Sequence, residues 1–134
     1  MKAVEYFLNG NSCSESIVLA SIEEGLCDKS LLSVASPFSG GIGSGCLCGA
    51  VSGSLIVIGH LYGKNNTYGN PPIARELAKS FVDNFKKQFP ATCCRVLSRG
   101  FDFGSKERKL HCSNMVEFCF NNLQELIKDV VKNG

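Results

Sequence analysis

The chain has no Cys-x-x-Cys pair, although it carries eight cysteines in 134 residues. Thioredoxin-like chemistry and ordinary zinc ribbons therefore lack the spacing they need. Charge is also scarce: charged residues are 19% and the formal net charge is +2. No block of five like charges occurs, and Lys86-Lys87 reads as a solvated helix face. That balance excludes a nucleic-acid-binding role. Histidine is nearly absent, with His60 and His111 alone. Both read as satisfied residues rather than ligands, and no spacing supports a Cys-His hydrolase. No long apolar run follows Lys2, so the expectation is a chain that stays in a reducing cytoplasm. Clustered cysteines there serve redox, catalytic or metal chemistry more often than structural disulfides.

One long stretch lacks charge altogether. Between Lys29 and Lys64 there is no Asp, Glu, Lys or Arg. Its continuous apolar part is only Leu55 to Leu61, and Ser52, Ser54, His60 and several glycines interrupt the rest. That is too short and too polar for a stable membrane span, and it predicts a helix packed on all sides.

No segment alternates apolar and polar residues in the manner of a strand, so the fold class is all-α. The expected architecture is a compact bundle of about five to seven helices around a glycine-rich buried central helix. No repeat, linker or low-complexity tract interrupts it, so residues 1–134 read as one domain. The first helix covers residues 2–8 and ends at Asn9-Gly10. Asn11 or Ser12 caps a second, from Cys13 to Glu24, with Gly25 as its stop. Ser30 opens a short helix that Pro37 ends. Asn70 and the following prolines open a strongly amphipathic helix that Pro90 stops, with Leu77, Phe81 and Phe85 on its inner face. Thr92 is placed to cap a short helix over 93–100. The last helix runs from about Ser105 or Lys106 to Lys132, with Cys112, Met115, Cys119 and Leu123 on its buried stripe.

The stretch GGIGSGCLCGAVSG at 40–53 matches neither G-x-G-x-x-G nor the P-loop pattern, and no strand precedes it. Gly45, Gly49 and Gly53 are spaced by four, so on a helix they line one face. A side-chain-free face lets another backbone come close, within the monomer or across a homodimer interface.

Cys13, Cys48 and Cys94 all fall at predicted helix starts, where the dipole and free N–H groups favour a thiolate. Cys48, presented by the central helix, is the leading candidate. Cys112 follows Arg108, Lys109 and His111, so positive charge is near it in sequence. Cys46 and Cys48 lie about 200° apart if both are helical, and Cys93 and Cys94 about 100°. One of each pair therefore joins a shared site. Cys112 and Cys119 are separated by two turns, about 10 Å, which makes Cys119 core. Cys27 lies in a turn with no evident partner.

Cys13 in SCSES, the stretch SGGIGSG followed by CGAVSG, then CRVL at 94–97 and Cys112 resemble the C_GCAxxG_C_C family of putative redox-active proteins. The resemblance spans nearly the whole chain. It implies a small bacterial or archaeal protein with a redox role and four signature cysteines, here Cys13, Cys48, Cys94 and Cys112. Cys27, Cys46, Cys93 and Cys119 are additional, and Cys46 and Cys93 are candidate resolving thiols or alternative ligands. Two forms of chemistry follow for the four. They exchange thiols and disulfides or persulfides with a redox partner the sequence does not identify, or they hold a 2Fe–2S cluster. The competing reading is a thiolate site for zinc or a soft metal such as Cu(I), without electron chemistry.

Overall fold

A computed structural model describes residues 2–64 and 72–133. It contains seven α-helices, and no strand forms among the described residues. They are α1 (Ala3–Leu8), α2 (Cys13–Glu23), α3 (Leu31–Ala35), α4 (Gly49–Tyr62), α5 (Ile73–Gln88), α6 (Cys94–Leu97) and α7 (Lys106–Asn133). The expected all-helical arrangement is thus the observed one. No helix among the described residues is long and apolar enough to cross a membrane.

The start of α2 is fixed by a reciprocal cap. Ser12 Oγ accepts from the Glu15 N–H at 3.3 Å, and Glu15 Oε1 accepts from the Ser12 N–H at 3.1 Å. Both residues of this cap are then tied to the following chain: Ser39 Oγ donates to Ser12 Oγ at 2.7 Å, and Ser36 Oγ to Glu15 Oε2 at 2.8 Å. These bonds satisfy N–H groups that a helix start leaves orphaned. They also fold residues 36–39 back over Cys13.

The central helix is α4, buried along Gly49–Ser54 and at Val57 and Ile58. It packs on α2, α7 and α5. Its buried hydroxyls bond within the helix, Ser54 Oγ donating to the Ala50 carbonyl at 2.8 Å. That is how an uncharged, serine-bearing segment occupies the core without unsatisfied polar groups. Helix α5 turns Leu77, Phe81 and Phe85 inward, and Phe85, Phe89 and Phe118 form an aromatic cluster against α7. The stripe of α7 is buried at Met115, Val116, Cys119, Phe120 and Leu123.

Two local expectations differ. Gly45 does not lie on the helix with Gly49 and Gly53; it closes a wide turn, Gly41–Gly45, before the helix begins. Helix α3 ends at Ala35 as expected, and Pro37 sits within the 3-10 turn over Ser36–Phe38 that follows it. Proline is compatible with the first turn of such a helix, where its missing N–H has no partner. Cys93, not Thr92, is the N-cap of α6, because the Thr92 carbonyl is used by the Cys48 N–H at 2.7 Å. The Asn70 cap lies outside the described residues.

Gly49 and Gly53 meet α2 of the same chain. A Cβ on Gly49 would lie 3.0 Å from Cys13 Cβ, and one on Gly53 would lie 2.8 Å from the Ser14 carbonyl oxygen. The contact at Gly53 is with backbone, so it cannot be relieved by a rotamer change. Gly53→Ala is expected to destabilise the fold by about 2 kcal/mol, overpacking outweighing the gain in helix propensity. Gly59→Ala, where nothing stands within 4 Å of the added carbon, is expected to stabilise by up to about 1 kcal/mol. Urea unfolding of the two variants checks this; equal stabilities would mean that α2 and α4 are not in backbone contact.

Candidate functional site

Four chain segments converge at one end of the bundle. The antiparallel pairing of Leu47 with Cys93 carries two flanking bonds, Cys48 N–H to the Thr92 carbonyl at 2.7 Å and Cys94 N–H to the Cys46 carbonyl at 2.8 Å. That short ladder sets the start of α4 beside the start of α6. Gly41 permits the approach: at φ +67° it is left-handed, and a Cβ there would fall 2.7 Å from Cys94 Cβ. Gly49 does the same for Cys13 on α2. Helix α7 closes the group with Cys112.

The result is a cavity of about 310 Å³ whose wall includes Cys13, Cys48, Cys94 and Cys112. Arg108 and Lys109 line it from the first turn of α7, and Phe7, Leu97, Met115 and Phe103 supply apolar wall. Phe103 is 87% exposed and stands at the mouth, with the Arg108 guanidinium 4.8 Å from its ring centre.

The thiols differ in environment. Burial pushes the Cys48 thiol up to about 11, although the Ala50 and Val51 N–H groups pull the other way. Burial also raises Cys13 well above the ordinary thiol range, and charge on Cys48, Cys112 or Cys94 would raise it further. Cys13 keeps some surface open to the cavity but is otherwise enclosed by protein. Cys112 is raised by burial, with Arg108 and Lys109 opposing. The expected preference for thiolates at the helix starts is therefore overturned at Cys13 and Cys48. The N–H groups act in the expected direction at Cys48, but desolvation outweighs them. Cys94 is half-buried, and its sulfur accepts from Arg108 Nη2 at 3.6 Å.

The other four cysteines do not line the cavity. Cys119 is fully buried in the α7 stripe, and burial raises it well above the ordinary thiol range, with Cys48 and Cys13 adding to the rise. Cys27 lies 4.0 Å from the Val18 carbonyl. Cys93 donates to the Gly45 carbonyl at 3.1 Å, and Cys46 is exposed, with Ser44 Oγ 3.5 Å from its sulfur. His111 bonds the Leu97 carbonyl at 2.6 Å and stacks on Phe101, and His60 is exposed. Sequence reasoning linked Arg108 to Cys112 alone, four residues on; the fold brings it to Cys94 as well. Phe103, in an unpatterned loop, gave no signal.

A cluster or a four-thiolate zinc site needs its sulfurs drawn together around the metal. Among the described residues no three or more His, Cys, Asp or Glu side chains are arranged to hold a metal ion. The thiols as placed do not fit such a shell.

Fold and cavity define an all-helical, cysteine-rich protein with a thiol-lined pocket at its helix starts. The model of the family described as "Putative redox-active protein (C_GCAxxG_C_C)" matches residues 11–126, and the chain belongs to that family. No curated protein and no solved structure gives a significant match.

Proposed function

We propose that the protein is a thiol–disulfide redox carrier in which Cys94 attacks and Cys112 resolves. One observation carries the reading: thiols from four distant segments line a single cavity, and one of them, Cys94, is held by a guanidinium at 3.6 Å. The Arg108 N–H orients the Cys94 sulfur in the cavity wall, and exchange proceeds by attack of one sulfur on a disulfide sulfur.

In the first step the Cys94 sulfur attacks an oxidised partner. A new S–S bond forms, the partner's own S–S bond breaks, and one partner sulfur leaves as a thiolate. In the second step Cys112 gives up its proton and attacks Cys94 Sγ. An intrachain disulfide forms and the second partner sulfur leaves. Two protein thiols are oxidised and one disulfide is reduced, a two-electron exchange that a dithiol reductant reverses. Cys112 is half-buried on the same cavity, and charge on Cys94 raises it, as expected of near neighbours. Such thiols suit a reducing compartment, the cytoplasm.

The test is titration of anaerobically purified, reduced protein with diamide, a thiol oxidant. Two thiols should disappear per equivalent, with Cys94 and Cys112 recovered in one disulfide-linked peptide pair. Stoichiometric zinc, or iron with acid-labile sulfide, bound to the same cysteines would instead assign a metal–thiolate site.

A further inference from the structure

We infer that the cavity recruits small anionic sulfur compounds, low-molecular-mass disulfides bearing carboxylates, with the anionic end toward Lys109 and Arg108 and the sulfur toward Cys94. The chemistry rests on the proposed exchange reaction; the preference for anions stands on the cavity itself.

The first argument is charge. Arg108 and Lys109 line the cavity and no Asp or Glu does. Among the described residues neither cation has a carboxylate partner; the ion pair formed there joins Lys79 and Asp83 on α5, at 2.7 Å. Arg108 is directed at Cys94, so its charge is partly used by the sulfur. Lys109 is not: its Nζ donates to the Asn11 carbonyl at 3.2 Å and lies 3.8 Å from the Phe7 ring centre. An ammonium has three donors and a guanidinium five, so N–H groups remain for a ligand on both. Three longer helices, α2, α4 and α7, also begin at this wall, and each adds positive partial charge at its start.

The second argument is size and lining. At about 310 Å³ the cavity is at the lower end of small-molecule sites, too small for a folded partner to enter. Phe7, Leu97 and Met115 offer an apolar surface to methylene and sulfur groups. A short carboxylated disulfide has both an apolar body and an anionic end.

The probe is alkylation of Cys94 by iodoacetate against iodoacetamide, nearly equal in size and differing in charge. In either case an S–C bond forms and iodide leaves. The ratio of the two rates at Cys94, read by peptide mass, is compared with that of a free cysteine peptide. It should be higher by about tenfold, within the range a charged cleft gives. It should fall between about 0.02 and about 0.5 M salt as screening shortens the field. Lys109→Gln should lower the ratio and Lys109→Arg should restore it. In the same buffer, reduced protein should reduce dithiodipropionate about tenfold faster than hydroxyethyl disulfide, relative to dithiothreitol acting on the same pair. Ratios equal to those of the free thiols overturn the inference while leaving exchange at Cys94 intact. A raised, salt-sensitive alkylation ratio supports the anion preference even if diamide produces no intrachain disulfide, the result that would sink the exchange reaction alone.

Discussion

Cys94→Ser is expected to abolish the diamide-induced intrachain disulfide at pH 7, while Cys48→Ser leaves it at the wild-type level. Cys48 occupies the more conspicuous position, the N-cap of the central helix, but it is 5% exposed and its proton is held until about pH 11. At pH 7 roughly one molecule in ten thousand would carry a thiolate there. Cys13 is raised by the same cause, and Cys112 is raised despite two cations nearby. What separates Cys94 is contact: its sulfur faces the cavity and receives an Arg108 N–H. Serine keeps nearly the same size but has no comparable nucleophilicity, so loss of the disulfide reports chemistry rather than packing. Exposed Cys46 alkylates independently, so the alkylation readout is taken on peptides containing Cys13, Cys48 and Cys112. With Cys94 gone, their combined rate should fall about a hundredfold below the wild-type rate at Cys94. Cys112→Ser should accumulate the mixed disulfide on Cys94, because the second attack is missing. An intrachain disulfide that persists at the wild-type rate in Cys94→Ser would move the attacking role to another thiol.

The helices were readable because their signals are local. Ser12, one of the two cap candidates, caps α2, and the Phe81–Phe85 face of α5 is visible as a period. The uncharged central stretch predicts a buried helix, and α4 is one as far as Ile58, with Gly59 and His60 exposed. Cys48 was placed at the start of α4 and is its N-cap, but the turn leading into the helix was not readable. Glycines spaced by four give the same periodicity whether they lie on one helix or straddle a turn, and Gly45 falls in the turn at φ +73°. Even Ile42 is left-handed there, at φ +61°, against the preference of a β-branched residue. Pairing between segments 46–48 and 92–94 decides that geometry, and no short-range pattern encodes it.

The same division applies to the site. The resemblance singled out Cys13, Cys48, Cys94 and Cys112, and these are the cysteines that line the cavity. Their relative reactivity was not legible, because it depends on the balance between helix-start N–H groups and desolvation. The sequence reveals the first through capping positions; the second depends on what packs around each sulfur. Arg108 illustrates both. Its place four residues before Cys112 is evident in the chain, but its contact with Cys94 depends on α6 docking against the start of α7.

The buried thiols should also make the fold sensitive to alkali. Burial raises Cys13, Cys48 and Cys119, so each holds its proton more tightly folded than unfolded. Below about pH 8.5 both states keep the thiol protons and their contribution to stability is fully present. As pH rises further, the unfolded chain releases protons that the folded chain retains, so unfolding becomes easier. For Cys48, raised from 9.0 to about 11, the loss by pH 11 is about 2 kcal/mol. That is a large part of the roughly 5–15 kcal/mol that stabilises a typical domain. The three thiols influence one another, so their losses do not simply add. Urea unfolding of reduced protein from about pH 8 to about pH 11 measures the slope. Lysines and tyrosines titrate in the same window, so the informative quantity is the difference between wild type and Cys48→Ala. That difference should narrow by about 2 kcal/mol as pH rises, because the variant has no thiol to lose at that position. Parallel curves would mean that Cys48 ionises in the folded chain as readily as in the unfolded one, and would remove the argument against Cys48 as the first attacker.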